Sequence, residues 1–265
     1  MIAIPAMQMV LGLLSGSLVG FTLGLIGGGG SVLAVPLMVY LVGVANPHVA
    51  IGTSAVAVAA NAAFNLANHA RAGDVKWRCA AAFATAGVVG AFAGSSIGKA
   101  IDGQKLLMLF ALVMMIIGVL MVFGRQGEGN QAVRLSFGNL PALLGLGFAT
   151  GAMSGFFGIG GGFLVVPALM LATGMPILYA IGSSLVSVMA FGVTTAINYA
   201  FSGLVDLSLA LVFVAGGIGG GLIGARLAKR LSSKRGALNK IFAALIFAVA
   251  FYMMYRSWMA LNMSA

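Results

Sequence analysis

The sequence is poor in charged side chains, and acidic ones are the scarcest. Asp, Glu, Lys and Arg make up only 7% of the chain, whereas about a quarter of the residues in soluble globular domains are charged. Apolar residues reach 61% and the mean hydropathy is +1.12. Several apolar stretches exceed the ~20 residues that cross a bilayer, so the sequence predicts an all-α polytopic membrane protein. A β-barrel is excluded because the apolar residues run continuously and do not alternate.

Other absences narrow the function. The lone cysteine, Cys79, excludes an internal disulfide and is expected to serve packing. H-E-x-x-H, G-x-S-x-G and Cys/His metal motifs are missing, which predicts no enzyme, no metal and no cofactor. The net charge is +10. In membrane proteins, Lys and Arg concentrate in cytoplasmic loops and set the orientation, so this charge does not indicate a nucleic-acid partner, and none is expected.

Acidic side chains are absent from the middle of the predicted spanning segments. The four of them lie in or beside predicted loops: Asp74, Asp102, Glu128 and Asp206. The sequence therefore offers no carboxylate for a proton relay inside the membrane, and none to balance a cationic substrate.

Glycine, in contrast, is abundant and clustered in two matching stretches. GLIGGGGSVLAVPLMVY begins at Gly24, and GFFGIGGGFLVVPALML begins at Gly155. Aligning Pro36 with Pro167 superimposes the glycines, and IGTS at Ile51 then matches IGSS at Ile181 after a shift of one residue. Self-similarity over this length predicts two repeats, covering residues 1–130 and 131–265.

Each repeat is predicted to contain a glycine-broken segment followed by three transmembrane helices. In the first repeat these are a hairpin over 5–44 and helices over 48–70, 77–98 and 105–124. In the second they are a hairpin over 138–174 and helices over 177–201, 206–226 and 238–258. The glycine-broken segment either crosses the membrane once or enters and returns, as a re-entrant or two-short-helix hairpin.

The distribution of basic residues favours the returning hairpin. With it, eleven Lys and Arg side chains lie on the cytoplasmic side and three outside, namely Lys99, Lys105 and Arg256. A single crossing gives eight and six, which fits the positive-inside rule less well. The hairpin gives each repeat an odd number of full crossings, so the two repeats are expected to be inverted relative to each other, as in many secondary transporters.

The glycine tips are candidate substrate-binding elements. Non-helical backbone at membrane depth is tolerated where it is buried in protein or lines a wet cavity. The returning helices would point free N–H groups and positive dipole ends at the protein centre, which suits an anion, and Ser31 is expected to cap its own helix. The predicted binding residues here are Gly28, Gly29, Gly30, Ser31, Gly160, Gly161 and Gly162. The alternative is that these glycines only allow close helix packing.

Hydroxyl and amide side chains inside the spanning helices complete the candidate site. Two pairs follow a glycine early in a helix, and four asparagines extend a polar stripe: Asn61, Asn65, Asn68 and Asn198. The predicted binding residues are Thr53, Ser54, Asn61, Asn65, Ser183, Ser184 and Asn198. The alternative role is hydrogen bonding between helices, worth about 0.6 kcal/mol on average in a membrane.

The paired motifs GLIGGGGSVLAVPLM and GFFGIGGGFLVVPAL, each followed by IGTS or IGSS, resemble those of the sulfite exporter TauE/SafE family of membrane permeases. The resemblance covers residues of about 8 to 258. It implies a transporter of sulfite or small organosulfonates in the bacterial inner membrane. Partners would be a small anion and the lipid bilayer, and a homodimer is left open. A passive anion channel and a membrane subunit without transport are the alternatives.

The charge distribution makes a direct prediction about sidedness. In a Cys79→Ala background, single cysteines at Gly129 and Ser233 should be protected from an impermeant thiol reagent added outside, because both would lie in cytoplasmic loops. A cysteine at Gly103 should react and serves as the positive control. Labelling of Gly129→Cys from outside would rule out the returning hairpin in the second repeat.

Overall fold

A computed structural model describes residues 6–123, 133–158, 162–232, 244 and 246–256. Regular structure in these ranges is helical, in agreement with the predicted all-α class. In chain order the helices are α1 (Ala6–Ile26), α2 (Gly30–Leu41), α3 (Pro47–Arg71), α4 (Trp77–Lys99), α5 (Gly103–Phe123), α6 (Leu140–Phe157), α7 (Gly162–Thr173), α8 (Ile177–Ala200), α9 (Leu207–Ser232) and α10 (Ile246–Arg256). Within the described ranges, six of them are long and apolar enough to cross a membrane: α1, α3, α4, α6, α8 and α9.

Local sequence explains where the central helix α3 begins and ends. The Asn46 side chain accepts a hydrogen bond from the His48 N–H at 2.9 Å, and Pro47 occupies the first turn, where its missing N–H is not needed. After Arg71 the chain leaves the helix at Gly73, whose φ is +79°. Glycine adopts this left-handed conformation without steric cost, and the turn leads directly into α4.

At each glycine tip, a glycine with positive φ ends a long helix. Gly27 follows α1 with φ +67°, and Gly158 follows α6 with φ +69°. The arms on either side of each tip are unequal. The incoming helices have 21 and 18 residues, or about 30 Å at 1.5 Å per residue, whereas the return helix α7 has 12 residues, or about 18 Å. The incoming arms are therefore long enough to cross, and the return arms are short.

The return helix α2 is irregular along its length. Its first residues belong to a 3-10 segment over Gly27–Leu33, which is followed by one α-helical turn over Ala34–Pro36 and a π-helix over Leu37–Leu41. Such changes of helical type often mark functional segments or sequence under strain. The division of the chain into repeats at residue 130 remains a prediction.

Helix α1 packs along α9 through glycines. Gly16, Gly20 and Gly24 lie against the backbone of Phe213, Gly217 and Gly221 respectively. The contacts advance by four residues on both helices, so the two helices run parallel. The approach is so close that a Cβ at any of these three glycines would overlap a carbonyl oxygen of α9, as expected for helix pairs in membranes that associate through small residues.

Helices α4 and α6 repeat this arrangement on the other side of the molecule. Gly147, Gly151 and Gly155 of α6 lie against the backbone of Phe83, Gly87 and Ala91 of α4, again advancing by four on both helices. This pair also runs parallel. Each glycine-faced pair joins a helix from one half of the chain to a helix from the other.

Helices α3 and α8 contact each other between the two glycine-faced pairs and run antiparallel. Gly52 near the start of α3 lies against Tyr199 near the end of α8, and Gly192 packs on Ala59. Gly182, near the start of α8, lies against the backbone of Asp74, just past the end of α3. Helix α3 also packs on α9, and α8 packs on α4, so these two antiparallel helices connect the outer pairs.

Two adjacent glycines on α9 test whether the close approach stabilises the fold. Gly220 lies against the carbonyl of Ser17 on α1, whereas the Cβ position of Gly219 has no heavy atom within 4 Å. Gly220→Ala should destabilise the protein by about 1–3 kcal/mol, because backbone atoms cannot move aside as a side chain can. Gly219→Ala should be neutral or stabilise by up to about 1 kcal/mol.

The measurement is the thermal unfolding temperature of both variants, purified in the same detergent. Equal unfolding temperatures for the two variants would show that the α1–α9 contact does not limit stability.

Candidate functional site

The two glycine tips meet inside the protein. The backbone of Gly28, just after α1, lies directly against that of Gly162, where α7 begins. A Cβ on Gly28 would lie 2.6 Å from the Gly162 Cα, and a Cβ on Gly162 would overlap the Gly28 carbonyl. Both residues are buried. Only glycine fits at this contact, and the start of α7 is thereby brought to the first tip.

Hydroxyl groups hold the first tip. The Gly28 N–H donates to Ser184 Oγ of α8 at 3.0 Å, and the Ser184 hydroxyl donates to the Ile181 carbonyl at 2.7 Å. The Ser31 hydroxyl donates to the Gly28 carbonyl at 2.8 Å. The expected cap by Ser31 is therefore wrong: its hydroxyl binds a carbonyl, and no side chain caps the 3-10 segment that begins at Gly27. Gly29 and Gly30 continue this segment.

The second tip is described as far as Gly158 and again from Gly162. Gly158 lies against the side chain of Ile51 on α3. Ser54, one turn further along α3, is fully buried and donates to the Ile51 carbonyl at 3.0 Å. Ser54 thus lies one turn from Ile51, which contacts the second tip, whereas Ser184 binds the first tip directly. Gly160 and Gly161 lie outside the described residues.

Thr53 and Ser183, the partners of Ser54 and Ser184 in sequence, hold the starts of other helices. The Asp206 N–H, just before α9, donates to Thr53 Oγ1 at 2.9 Å. The Lys76 N–H, just before α4, donates to Ser183 Oγ at 2.8 Å. Each hydroxyl pair predicted from the sequence is therefore divided. One member lies beside a tip, and the other ties a helix start from the opposite half of the chain.

Asn61 and Asn65 lie between α3, α9 and α1. Both are fully buried, and their amides lie against Gly217 and Gly221 of α9, with Asn65 also beside Gly24 of α1. The Asn65 amide donates to the Asn61 carbonyl at 2.9 Å. Both amide atoms of Asn61, and Asn65 Oδ1, have no hydrogen-bond partner among the described residues. Unsatisfied buried amides of this kind are places where a ligand or water would be stabilised.

Asn198 lies apart from the tips, near the ends of α8 and α4, where it binds a cation. Lys99 Nζ donates to Asn198 Oδ1 at 2.7 Å and to its carbonyl at 2.9 Å. The Asn198 amide donates in turn to Ser95 Oγ at 2.5 Å and Ser96 Oγ at 3.0 Å. Lys99 was predicted only to mark the outer side of the membrane. The signal for this cluster was the spacing of Ser95, Ser96 and Lys99, which places them on one helical face.

A buried His69–Asp74 pair was also missed from sequence. His69 Nδ1 lies 3.4 Å from Asp74 Oδ2, and Nε2 lies 3.2 Å from the Gly24 carbonyl. A carbonyl oxygen can only accept, so Nε2 must carry the hydrogen. The turn at Gly73 brings Asp74 back to His69 and buries it to 7% exposure. Asp74 does lie in a loop, as predicted, but its carboxylate is mostly buried against His69, and His69 in turn links α3 to α1.

The described residues contain no group of three or more His, Cys, Asp or Glu side chains that could hold a metal ion. The polar groups around the tips are hydroxyls, amides and backbone N–H groups, which bind anions or neutral polar ligands better than metal cations.

Comparison with known proteins gives one family. The model of the sulfite exporter TauE/SafE family matches residues 12–253, which include both tips and the helices around them. No solved structure matches the chain significantly.

Similar curated proteins share one description. A "Probable membrane transporter protein" of Xylella fastidiosa (strain 9a5c) is 55% identical over 251 residues, covering 93% of this chain and 95% of the relative. A "Probable membrane transporter protein" of Haemophilus influenzae is 30% identical, covering 72% of this chain and 73% of its own. YunE of Bacillus subtilis, with the same description, is 26% identical, covering 85% and 89%. The chain is thus similar to membrane transporters over most of its length.

Two serines of α8 test the hydrogen bond at the first tip. Ser184→Ala leaves the buried Gly28 N–H without its acceptor and should cost about 1–3 kcal/mol of stability. Ser187, one turn along the same helix, is equally buried, and its hydroxyl has no partner among the described residues. Ser187→Ala should therefore leave stability unchanged or slightly improved.

Thermal unfolding of the two variants in detergent is the measurement. A loss for Ser187→Ala as large as that for Ser184→Ala would mean that the tip does not depend on the Gly28–Ser184 bond.

Proposed function

The chain belongs to the sulfite exporter TauE/SafE family, and on that premise we propose that it is a secondary transporter of small sulfur-containing oxyanions, sulfite or organosulfonates, in the bacterial inner membrane. The observation that carries the proposal is the buried contact between the two glycine tips at Gly28 and Gly162. Irregular backbone inside a membrane protein is tolerated where it is buried in protein or lines a wet cavity, and convergence of two such segments favours a site between them.

The chemistry around the tips favours an anion. Helix α7 begins at Gly162, so its first N–H groups lack intrahelical acceptors and its positive dipole end faces the first tip. The hydroxyls of Ser54 and Ser184 lie beside the tips and can donate to an oxyanion after a rotation of the O–H bond. Asp74, a buried carboxylate, contacts His69 at the end of α3, and the other ring nitrogen of His69 contacts the Gly24 carbonyl, one turn before the first tip.

We further propose that the two halves are inverted repeats. The antiparallel course of α3 and α8, which occupy matching positions in the two halves, supports this arrangement. The two parallel pairs also correspond to each other: α1 in the first half matches α6 in the second, and α4 in the first half matches α9 in the second. Helix α9 runs parallel to α1 and also to α3, because Asn61 and Asn65 of α3 lie against Gly217 and Gly221 of α9 in the same order. Helices α1 and α3 therefore run in the same direction, so α2 must lead the chain back between them.

Alternating access then follows from how the helices are paired. Each glycine-faced pair is held by backbone contacts that leave little room for sliding, so each would move as a unit. The tips and the α3–α8 contact lie between the two units. Rocking of one unit against the other would expose the tips to one side of the membrane and then to the other.

Charge supports a definite orientation. The helix directions place one set of described basic residues at the end of the molecule where α3 ends and α4 begins: Arg71, Lys76, Arg78, Arg134, Arg226 and Arg230. The opposite set comprises Lys99, Lys105 and Arg256. We propose that the first end is cytoplasmic, because basic residues concentrate on that side of membrane proteins.

Reconstitution into liposomes tests the transport activity. Purified protein should give uptake of labelled sulfite, taurine or sulfoacetate that saturates with concentration, and internal unlabelled substrate should accelerate it by counter-exchange. A linear flux without counter-exchange would indicate a passive channel. No flux with any of these anions, under either gradient direction, would contradict the proposed function.

Ser31 at the first tip tests the sign of the binding charge. Ser31→Asp places a carboxylate at the positive end of the return helix, and this charge should weaken anion affinity by about 2 kcal/mol, or roughly 30-fold, relative to the similarly shaped Ser31→Asn. Affinity is measured by competition in the liposome assay, with variants inserted to equal levels.

Gly94 provides the matched control. It lies against the backbone of Ala152 in the α4–α6 pair, so Asp and Asn there should both act through bulk and change affinity equally. If Ser31→Asp and Ser31→Asn bound substrate equally well, the tip would not recognise negative charge.

A further inference from the structure

A cavity opens at the beginning of α4, at the end of the molecule that carries most of the basic side chains. Its volume is about 410 Å³, within the range of small-molecule sites. It lies between the start of α4 and the segment that precedes α6. Its lining residues are Val75, Lys76, Trp77, Arg78, Cys79, Val133, Arg134 and Leu135.

The lining combines three cations with an apolar floor. Lys76, Arg78 and Arg134 are the charged residues of the lining, and it contains no acidic side chain. Val75, Cys79 and Val133 form its buried part, each with 9% exposure or less. Lys76 is positioned by Tyr179, with its Nζ 4.4 Å from the ring centroid. The cavity therefore suits a ligand that is both anionic and partly apolar.

The surroundings of the cavity match the membrane–water interface. Trp77 is 54% exposed and Phe137 is 94% exposed, and both flank the cationic residues. Exposed aromatic side chains beside Lys and Arg are typical of the headgroup level of a bilayer. Basic pockets between transmembrane helices on the cytoplasmic side bind anionic lipid headgroups.

We propose that this cavity binds the phosphate headgroup of an anionic phospholipid of the cytoplasmic leaflet. Arg78 and Arg134, both exposed at the rim, would contact the phosphate, since guanidinium groups match phosphate oxygens in bidentate fashion. The acyl-proximal part of the lipid would lie over the apolar floor. A free phosphate or sulfur oxyanion shares the charge but would leave the apolar surface uncovered, so the lipid uses more of the lining. The proposal does not depend on which anion is transported.

Native mass spectrometry of the purified full-length protein tests this site. Phosphatidylglycerol should bind at micromolar concentration, and phosphatidylcholine with the same acyl chains should bind at least about tenfold more weakly. The Arg78→Gln/Arg134→Gln double variant should lose about tenfold or more in phosphatidylglycerol affinity. A matched double variant, Arg71→Gln/Arg226→Gln, removes the same charge at the same end of the molecule, outside the cavity, and should bind as the unmodified protein does.

A further arm separates the two sources of a phosphate group. Inorganic phosphate in large excess should not displace phosphatidylglycerol. The lipid assignment would be overturned if inorganic phosphate displaced phosphatidylglycerol completely and also raised the unfolding temperature of the unmodified protein but not that of Arg78→Gln/Arg134→Gln. That result would identify a site for a free anion. Equal losses of phosphatidylglycerol affinity in both double variants would show that general surface charge attracts the lipid, and would overturn the assignment to this cavity. The two single variants, Arg78→Gln and Arg134→Gln, with unfolding temperatures measured in parallel, replace the double variant if it does not fold.

Discussion

Close backbone contact between glycine-faced helices is the constraint on which the rest of this structure depends. In a bilayer, helices gain little from burying apolar side chains, because lipid is equally apolar, so van der Waals contact and hydrogen bonding must hold them together. The α1–α9 and α4–α6 pairs meet this requirement with glycines spaced four residues apart, each lying on a carbonyl of the partner. Both pairs cross between the halves of the chain, so neither half can pack its helices in this way alone.

The tips are consequences of the same pairing. Helices α1 and α6 are held along their length by helices from the opposite half. As a result, Gly27 at the end of α1 contacts α8, and Gly158 at the end of α6 contacts α3. There, hydroxyls early in α3 and α8 meet backbone that has left the α-helix, as in the Gly28–Ser184 bond. The same pairing leaves the Asn61 amide and Asn65 Oδ1, which have no hydrogen-bond partner among the described residues, facing glycines, where a side chain would have filled the space. A rigid frame and a polar, irregular centre are the combination that a transporter needs for selective binding.

Outside the tips, the packing of the helices determines which partner each polar side chain contacts. Thr53 and Ser183 tie the starts of α9 and α4, and Asn198 with Ser95 holds the Lys99 ammonium. The His69–Asp74 pair links the end of α3 to α1 through the Gly24 carbonyl. At the basic end, the same fold opens a cavity lined by Lys76, Arg78 and Arg134, whose lining residues differ from those of the tips.

The sequence alone determined the helical membrane class, the doubled glycine motif and the family, because hydropathy and local repeats are properties of the chain itself. It also placed glycines and hydroxyls in the segments that form the tips. Only the tertiary structure decided which hydroxyl contacts a tip, since Ser183 and Ser184 are neighbours in sequence but accept hydrogen bonds from the start of α4 and from the first tip respectively. Likewise, the role of Ser31 and the partners of Asn198 and Asp74 depend on contacts between distant segments. Such contacts are set by how helices from the two halves interlock, and no local pattern of residues encodes them.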